Sequence, residues 1–307
     1  MFLEKAFFKG NEFWKYIIGI LIVFIATLLG QIPFAVAVFL KLNSQDESMF
    51  GKTESELMKV LDKNLNLFLM LLSFVFAFFA LLAVVKGLHK QKITTLITSR
   101  AKIDWNRYFF AFGIWAAFQV VTTIAMYTIS PNDFVWNFHW QSFLVLFFIG
   151  VVMLPIQTGI EELMFRGYLM QGLALLTRNR WIPLIVTSLF FGGLHYSNPE
   201  VAKLGPIIMI YYIGTGLFLG ILTLMDEGME LSLGFHSANN LITALLVTTD
   251  WSALQTDAVL KDISNPDVGI EVLAPVVVIF PVLLMLFSNK YGWKNWRSKL
   301  TGKIDFK

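Results

Sequence analysis

The stretch GIEELMFRG, residues 159–167, places two carboxylates and a guanidinium at the end of a run, Phe143 to Ile156, that carries no charge. A helix facing lipid would hold leucine at such positions, because a charge at bilayer depth costs a few kcal/mol even on lenient insertion scales. Whether the surrounding chain is a membrane helix therefore decides both the fold and the meaning of these three charges.

Composition answers the first half. Apolar residues make up 56% of the 307 and charged residues 15%, against roughly 25% charged in a soluble chain. A helix crossing a bilayer needs ~20 apolar residues. Eight stretches qualify as candidates: approximately 16–40, 65–85, 108–129, 141–176, 182–199, 204–225, 231–249 and 270–288. The fourth is overlong, and Pro155 is expected to break it. The first is too long for a cleavable signal segment, and more apolar chain follows Ile32-Pro33-Phe34-Ala35. With no cysteine in the chain, disulfides, thiolate metal ligands and a cysteine nucleophile are excluded. Nothing in the sequence points to nucleic acid.

Eight spans put both termini on one side. Lys and Arg then number 3 before the first span, 6 in 86–107, 2 at Arg178 and Arg180, and 6 from Lys290 onward, all on the terminal side. The opposite side has Lys41, Lys52, Lys59, Lys63, Lys203 and Lys261. By the positive-inside rule the chain is a multi-pass cell-membrane protein with cytoplasmic termini. Two segments read as extramembrane: mixed-charge 42–64, with a short amphipathic helix, and polar 250–269, with a turn signal at Asn265-Pro266. No internal repeat appears, so residues 1–307 read as a single membrane domain. Gly216 and Gly220, with Gly214 nearby, give the sixth span a small-residue face suited to close packing.

Three clusters do not belong in lipid: Glu161-Glu162-Leu-Met-Phe-Arg166, Phe191-Gly-Gly-Leu-His195 and His236-Ser-Ala-Asn-Asn240. Glu162 and Arg166 are four apart and can pair along a helix. Glu161 points about 100° away, leaving a carboxylate without that arginine. His236 and Asn240 share a helix face one turn apart. Measured from Arg178 and Arg180 along adjacent antiparallel helices, Glu161 and His195 both lie roughly 22–26 Å from that end and share a level, if the helix runs unbroken to Arg178. A carboxylate, two imidazoles and an amide converging in a membrane cavity make a hydrolytic site, one group handling water and others stabilising an oxyanion. Read singly, the first cluster is more often an interfacial salt bridge and His195 more often a packed, hydrogen-bonded helix residue, whereas His236 and Asn240 aligned on one face need a shared reason.

In order, EELMFR at 161–166, FGGLH at 191–195 and HSANN at 236–240 resemble the three-motif pattern of the CPBP family. This family takes in the CAAX prenyl endopeptidases and the bacteriocin-processing or immunity "Abi" proteins. The resemblance covers about residues 150–245, the expected catalytic core. It implies an all-α integral membrane protein of about eight transmembrane helices enclosing an intramembrane active-site cavity. Its activity would be that of an intramembrane endopeptidase acting on membrane-embedded or lipidated peptide substrates. By the same resemblance Glu161 and His195 would activate water, His236 and Asn240 would stabilise the oxyanion, and Glu162, Arg166 and Phe191 would support them. Glu161, His195 and His236 could hold zinc in three-ligand catalytic form, whereas metal-free general-base chemistry at Glu161 fits the same residues and no HExxH is present. No Gly-x-Ser-Gly or Gly-x-Gly-Asp motif offers another intramembrane protease chemistry. Two alternatives stand beside the enzyme: a non-proteolytic self-immunity or scaffold protein of the same family, and a transporter using the polar residues as a path, for which the expected repeat is lacking.

Overall fold

The computed structural model describes residues 1–49, 51–52, 54–265 and 269–304. It is a helical bundle. After a 3₁₀ turn at Leu3–Ala6 come α1 (Phe13–Asn43), a single turn α2 (Glu54–Leu57), α3 (Lys63–Ala83), α4 (Ile93–Ile97) and α5 (Trp105–Ile129). The middle of the chain forms α6 (Trp140–Glu162), which passes through a π-helical segment, Leu163–Leu169, into α7 (Met170–Thr177), and then α8 (Trp181–Leu194) and α9 (Pro199–Leu204). The last third holds α10 (Met209–Asp226), α11 (Glu230–Leu246), α12 (Ile270–Ala274), α13 (Phe280–Tyr291) and α14 (Trp296–Thr301).

Two polar layers bracket the bundle. In one, Arg180 pairs with Glu4 at 3.1 Å and Lys299 with Glu227 at 3.4 Å, while short β-bridges join Thr98 to Gly228 and Asn179 to Lys303. Asp226 is the hub of this layer: it takes Arg100 at 3.0 Å and also pairs with Arg107, and Arg100 reaches Glu230 at 3.1 Å. Both termini therefore lie at one end, as expected, and the acids of the 226–230 turn collect bases from three other segments. In the opposite layer Asn64 donates to the Ser142 carbonyl at 2.9 Å, and Lys63 pairs with Asp257 at 3.5 Å. Three short strands, β1 (Phe134–Trp136), β2 (Val247–Thr248) and β3 (Leu260–Asp262), pair there in the order β1-β3-β2, the first pair antiparallel and the second parallel. The purely helical reading did not anticipate this sheet. Outside the hydrocarbon, extended loop segments can pair their backbones with each other instead of closing a helix.

Six helices among the described residues are long and apolar enough to cross a membrane: Phe13–Asn43, Lys63–Leu88, Trp105–Ile129, Trp140–Thr177, Pro206–Asp226 and Val272–Tyr291. The expected count of eight is not confirmed. Candidates 182–199 and 231–249 form helices of 14 and 17 residues, about 21 and 26 Å at 1.5 Å per residue. The first gives way to a 3₁₀ turn at His195, and the second ends at Leu246, where β2 begins. Pro155 does not break the fourth span. The helix runs through it, giving up only the hydrogen bond that residue 155 would otherwise donate to the Val151 carbonyl. In the 42–64 segment the helical part is the single turn Glu54–Leu57. Half of the Asn265-Pro266 turn signal, Pro266, lies outside the described residues.

Lipid-facing positions recur at helical spacing along α1, where Leu21, Ile25, Leu28, Ile32, Val36 and Phe39 are all exposed. Because lipid tails are as apolar as leucine, the bundle is held by close packing and not by expulsion of water. The small-residue face of α10 does this. A Cβ on Gly216 would sit 2.8 Å from the Ser188 carbonyl oxygen on α8, and one on Gly220 would sit 2.5 Å from Leu184. Gly214 gives the same clearance to Val276, at 2.7 Å. Gly216→Ala is accordingly expected to cost about 1–3 kcal/mol of stability by overpacking, read as a lowered unfolding midpoint in detergent. Gly113→Ala, on an exposed face of α5 with nothing within 4 Å, should leave that midpoint unchanged or raised.

Candidate active site

The site is built where the end of α6, the π-helical segment, α8, α10 and α11 meet. A π-helix closes i→i+5 hydrogen bonds and widens one turn, a local distortion found frequently at functional positions. Here it begins one residue after Glu162 and contains Arg166.

Glu162 and Arg166 form the expected pair. Arg166 Nη1 donates to Glu162 Oε1 at 2.8 Å, and their side chains are 1% and 0% exposed. The guanidinium is also fixed on two other sides: Nη2 donates to the Gly216 carbonyl at 3.1 Å, and its plane lies 4.2 Å from the Phe191 ring centroid. Charge, hydrogen bonding and ring contact are thus all supplied, as a buried arginine requires.

His236 stands between the two adjacent glutamates. Its Nδ1 is 2.9 Å from Glu162 Oε1, and its Nε2 is 3.6 Å from Glu161 Oε2. The second separation is beyond a direct hydrogen bond and of a size that a bridging water spans. The reading of Glu161 as an unpaired carboxylate needs correction. It lacks the arginine, but Gln157 Nε2 donates to its Oε1 at 2.6 Å, and His236 faces its other oxygen. One helical turn back along α6 is the same face of the helix, so a lone glutamine in the apolar run four residues before Glu161 was a signal available in the sequence.

Gln157 belongs to a chain of side chains whose direction is fixed at both ends. Trp115 Nε1 donates to Asn239 Oδ1 at 3.0 Å, and Asn239 Nδ2 donates to Asn240 Oδ1 at 3.1 Å. Asn240 Nδ2 then donates to Gln157 Oε1 at 2.9 Å, and Gln157 passes on to Glu161. An indole N–H can only donate, and an ionised carboxylate can only accept. The three amides between them are therefore oriented, and Asn240 holds its NH₂ on the Glu161 side. Asn239 and Trp115 were not singled out from sequence; a tryptophan in α5 says nothing by itself about a residue 124 positions on.

His195 is the first residue of the 3₁₀ turn that ends α8. Its Nδ1 lies 2.7 Å from the Phe191 carbonyl, so that nitrogen carries the proton and donates, which leaves Nε2 as the other functional position. The ring stacks on Tyr212, centroids 4.5 Å apart at 25°. Phe191 is the shared wall, with its ring 4.8 Å from His195, 5.9 Å from His236 and under Arg166. Beyond His195, Glu200 accepts from the Ala253 N–H at 2.8 Å, closing α9 against the 250–256 loop. Burial raises the Glu200 carboxyl above the usual carboxylate range, against the pull of that N–H and of nearby His195.

Among the described residues no three His, Asp or Glu side chains are grouped to hold a metal ion. Of the three candidates, His236 has each nitrogen facing a different glutamate, while the carbonyl bond of His195 Nδ1 leaves its Nε2 open to a ligand.

Residues 136–242 match the Rce1-like family, described as type II CAAX prenyl endopeptidase Rce1-like. The chain is also similar to the uncharacterized protein YyaK of Bacillus subtilis, 28% identical over 240 residues, covering 78% of this chain and 79% of that protein. No solved structure matches. The matched segment contains Glu161, Glu162, Arg166, His195, His236 and Asn240, the residues that carry the likeness to the CPBP pattern.

Proposed function

We propose that the chain is an intramembrane endopeptidase that hydrolyses peptide bonds of membrane-tethered substrates by metal-free general-base chemistry. The observation that carries this reading is Glu161. It is a partly accessible carboxylate, 17% exposed, set 3.6 Å from His236 and oriented by a directional amide chain, in a bundle whose outer surface faces lipid. Likeness over residues 136–242 to a family described as CAAX prenyl endopeptidase supports peptidase chemistry and a membrane-associated peptide substrate.

In the proposed cycle a water lies between Glu161 and the free Nε2 of His195. Glu161 takes its proton as the oxygen attacks the scissile carbonyl. The developing oxyanion receives the remaining N–H of Asn240 Nδ2, oriented before the reaction, with the His236 ring beside it. Glu162 anchors His236 through Nδ1, and Arg166 anchors Glu162. The proton on Glu161 then passes to the leaving amine. In the same reading the layer holding the termini faces the cytoplasm of the cell membrane, because 17 of the 24 Lys and Arg lie there.

Glu161→Gln and His195→Ala should each lower turnover of a membrane-tethered reporter by about 10²- to 10⁴-fold while the purified variants keep the unfolding midpoint of the parent. Full activity in both would refute proteolysis at this site, and a self-immunity phenotype that survives both would favour the scaffold. Trp115→Phe keeps the ring against Phe118 and Phe235 and removes only the N–H that polarises the amide chain. It should lower kcat about ten- to hundredfold with little change in KM; a rise in KM alone would show a packing role instead. Chelation with verified metal loss should leave cleavage intact, and recovery of lost activity by added zinc would overturn the metal-free mechanism.

A further inference from the structure

A second buried polar cluster lies toward the termini and belongs to none of the three motifs. It joins Asn11, Tyr16, His89 and Tyr168, all buried. Asn11 Nδ2 donates to the Ala6 carbonyl at 2.6 Å and to the Tyr16 hydroxyl at 2.9 Å, which turns its Oδ1 to His89 Nδ1 at 2.7 Å. An amide oxygen can only accept, so Nδ1 carries a proton. Burial and the nearby Lys15 charge push the imidazole down to about 4, so it is neutral at physiological pH and its Nε2 accepts. The donor is the Tyr168 hydroxyl at 2.7 Å, whose other acceptor, the Lys15 carbonyl, is farther away at 3.1 Å. That hydroxyl has a built socket, because a Cβ on Gly19 would clash with it.

Tyr168 sits in the π-helical segment Leu163–Leu169, two residues after Arg166. The two side chains pin that segment to different partners: Arg166 to the Gly216 carbonyl on α10, Tyr168 to His89 and the start of α1. His89 itself follows a π turn, Val84–Leu88, which its N–H closes on the Val84 carbonyl at 3.1 Å. A second stitch lies beyond it. Gln91 Nε2 donates to Gln171 Oε1 at 3.2 Å, and Gln171 Nε2 donates to the Thr95 carbonyl at 3.0 Å. A π turn holds one residue more than an α turn, closing i→i+5 in place of i→i+4. Relaxed to α geometry, it would turn Glu161 and Glu162 by about 100° relative to α7, away from His236. Resting on the endopeptidase reading above, we propose that His89 and Tyr168 are positioning residues for the reaction: their hydrogen bond holds the π turn in the register that sets Glu161 and Glu162 against His236.

Two substitutions in the full chain break that one bond. Tyr168→Phe keeps the ring against Tyr16 and loses the hydroxyl. His89→Asn keeps an N–H for Asn11 and loses the acceptor, whereas His89→Gln returns a carbonyl acceptor where Nε2 stood. Tyr168→Phe and His89→Asn should each lower kcat on a membrane-tethered reporter about tenfold or more at unchanged KM, and the double variant should be no worse than the worse single one. His89→Gln should stay within about threefold of the parent. Unchanged kcat in Tyr168→Phe, a rise in KM alone, multiplying losses in the double variant, or His89→Gln falling as far as His89→Asn would each overturn the assignment. Amide hydrogen exchange read by mass spectrometry follows the hold without any activity. Residues 160–172 should exchange faster in Tyr168→Phe while residues 231–246 keep the parent's rates. Unaltered exchange over 160–172 overturns the proposal, and so does faster exchange throughout, which would show a general loss of stability. If the parent cleaves no reporter, the endopeptidase reading fails, and the exchange result still decides whether the bond holds the turn.

Discussion

The contact on which the site depends is the ion pair between Glu162 and Arg166. Neither side chain reaches solvent, so each exists as a charge only because of the other. Removing one partner of such a pair typically costs about 3–5 kcal/mol, since the survivor is left charged in a dry interior. The pair is also where separate helices are tied together. Arg166 holds the Gly216 carbonyl of α10 and the Phe191 ring of α8, and Glu162 holds His236 of α11. A single neutralised unit thereby sets the positions of three elements that are far apart in sequence, and His236 inherits its place beside Glu161 from it.

Two glutamates adjacent in sequence do opposite things because a helix turns about 100° between them. Glu162 faces inward to an arginine and a histidine. Glu161 faces the accessible side, where an amide and a histidine orient it without an arginine to neutralise it. The amide chain from Trp115 adds an ordering that no single residue could supply. A donor-only group at one end and an acceptor at the other settle which way three carboxamides point. An arrangement of this kind is preorganised: the dipoles near the reacting carbonyl are set before the substrate arrives.

Local spacing made part of this legible. The i,i+4 relation of Glu162 and Arg166 and the divergence of Glu161 follow from helix geometry alone, and the glycines of α10 announced a close crossing. Same-side termini followed from counting apolar runs and were supported by where lysine and arginine fall. What was not legible depends on register between helices. Gln157 is one polar residue in an apolar run, and nothing nearby in sequence says that it faces Asn240. Trp115 and Asn239 pair across 124 residues. The π-helical segment has no mark in the sequence, and Pro155 looked like a break because the chain does not advertise that neighbouring backbone groups can be satisfied without ending the helix. The lengths of α8 and α11 were overestimated because apolar residues continue past the point where the backbone leaves the helix.

A hydrolase inside a bilayer must bring water part of the way across without completing a pore. On the proposed function, the buried residues that hold the site together would also meet that demand. The Glu162–Arg166 pair and the rings of Phe165, Phe191 and Phe235 lie buried beside Glu161. A cleft ending on such a layer would conduct neither protons nor salt, and the protein would stand in an energised membrane without draining its potential. Loosening that layer would therefore damage the cell by leakage as well as the reaction by misalignment.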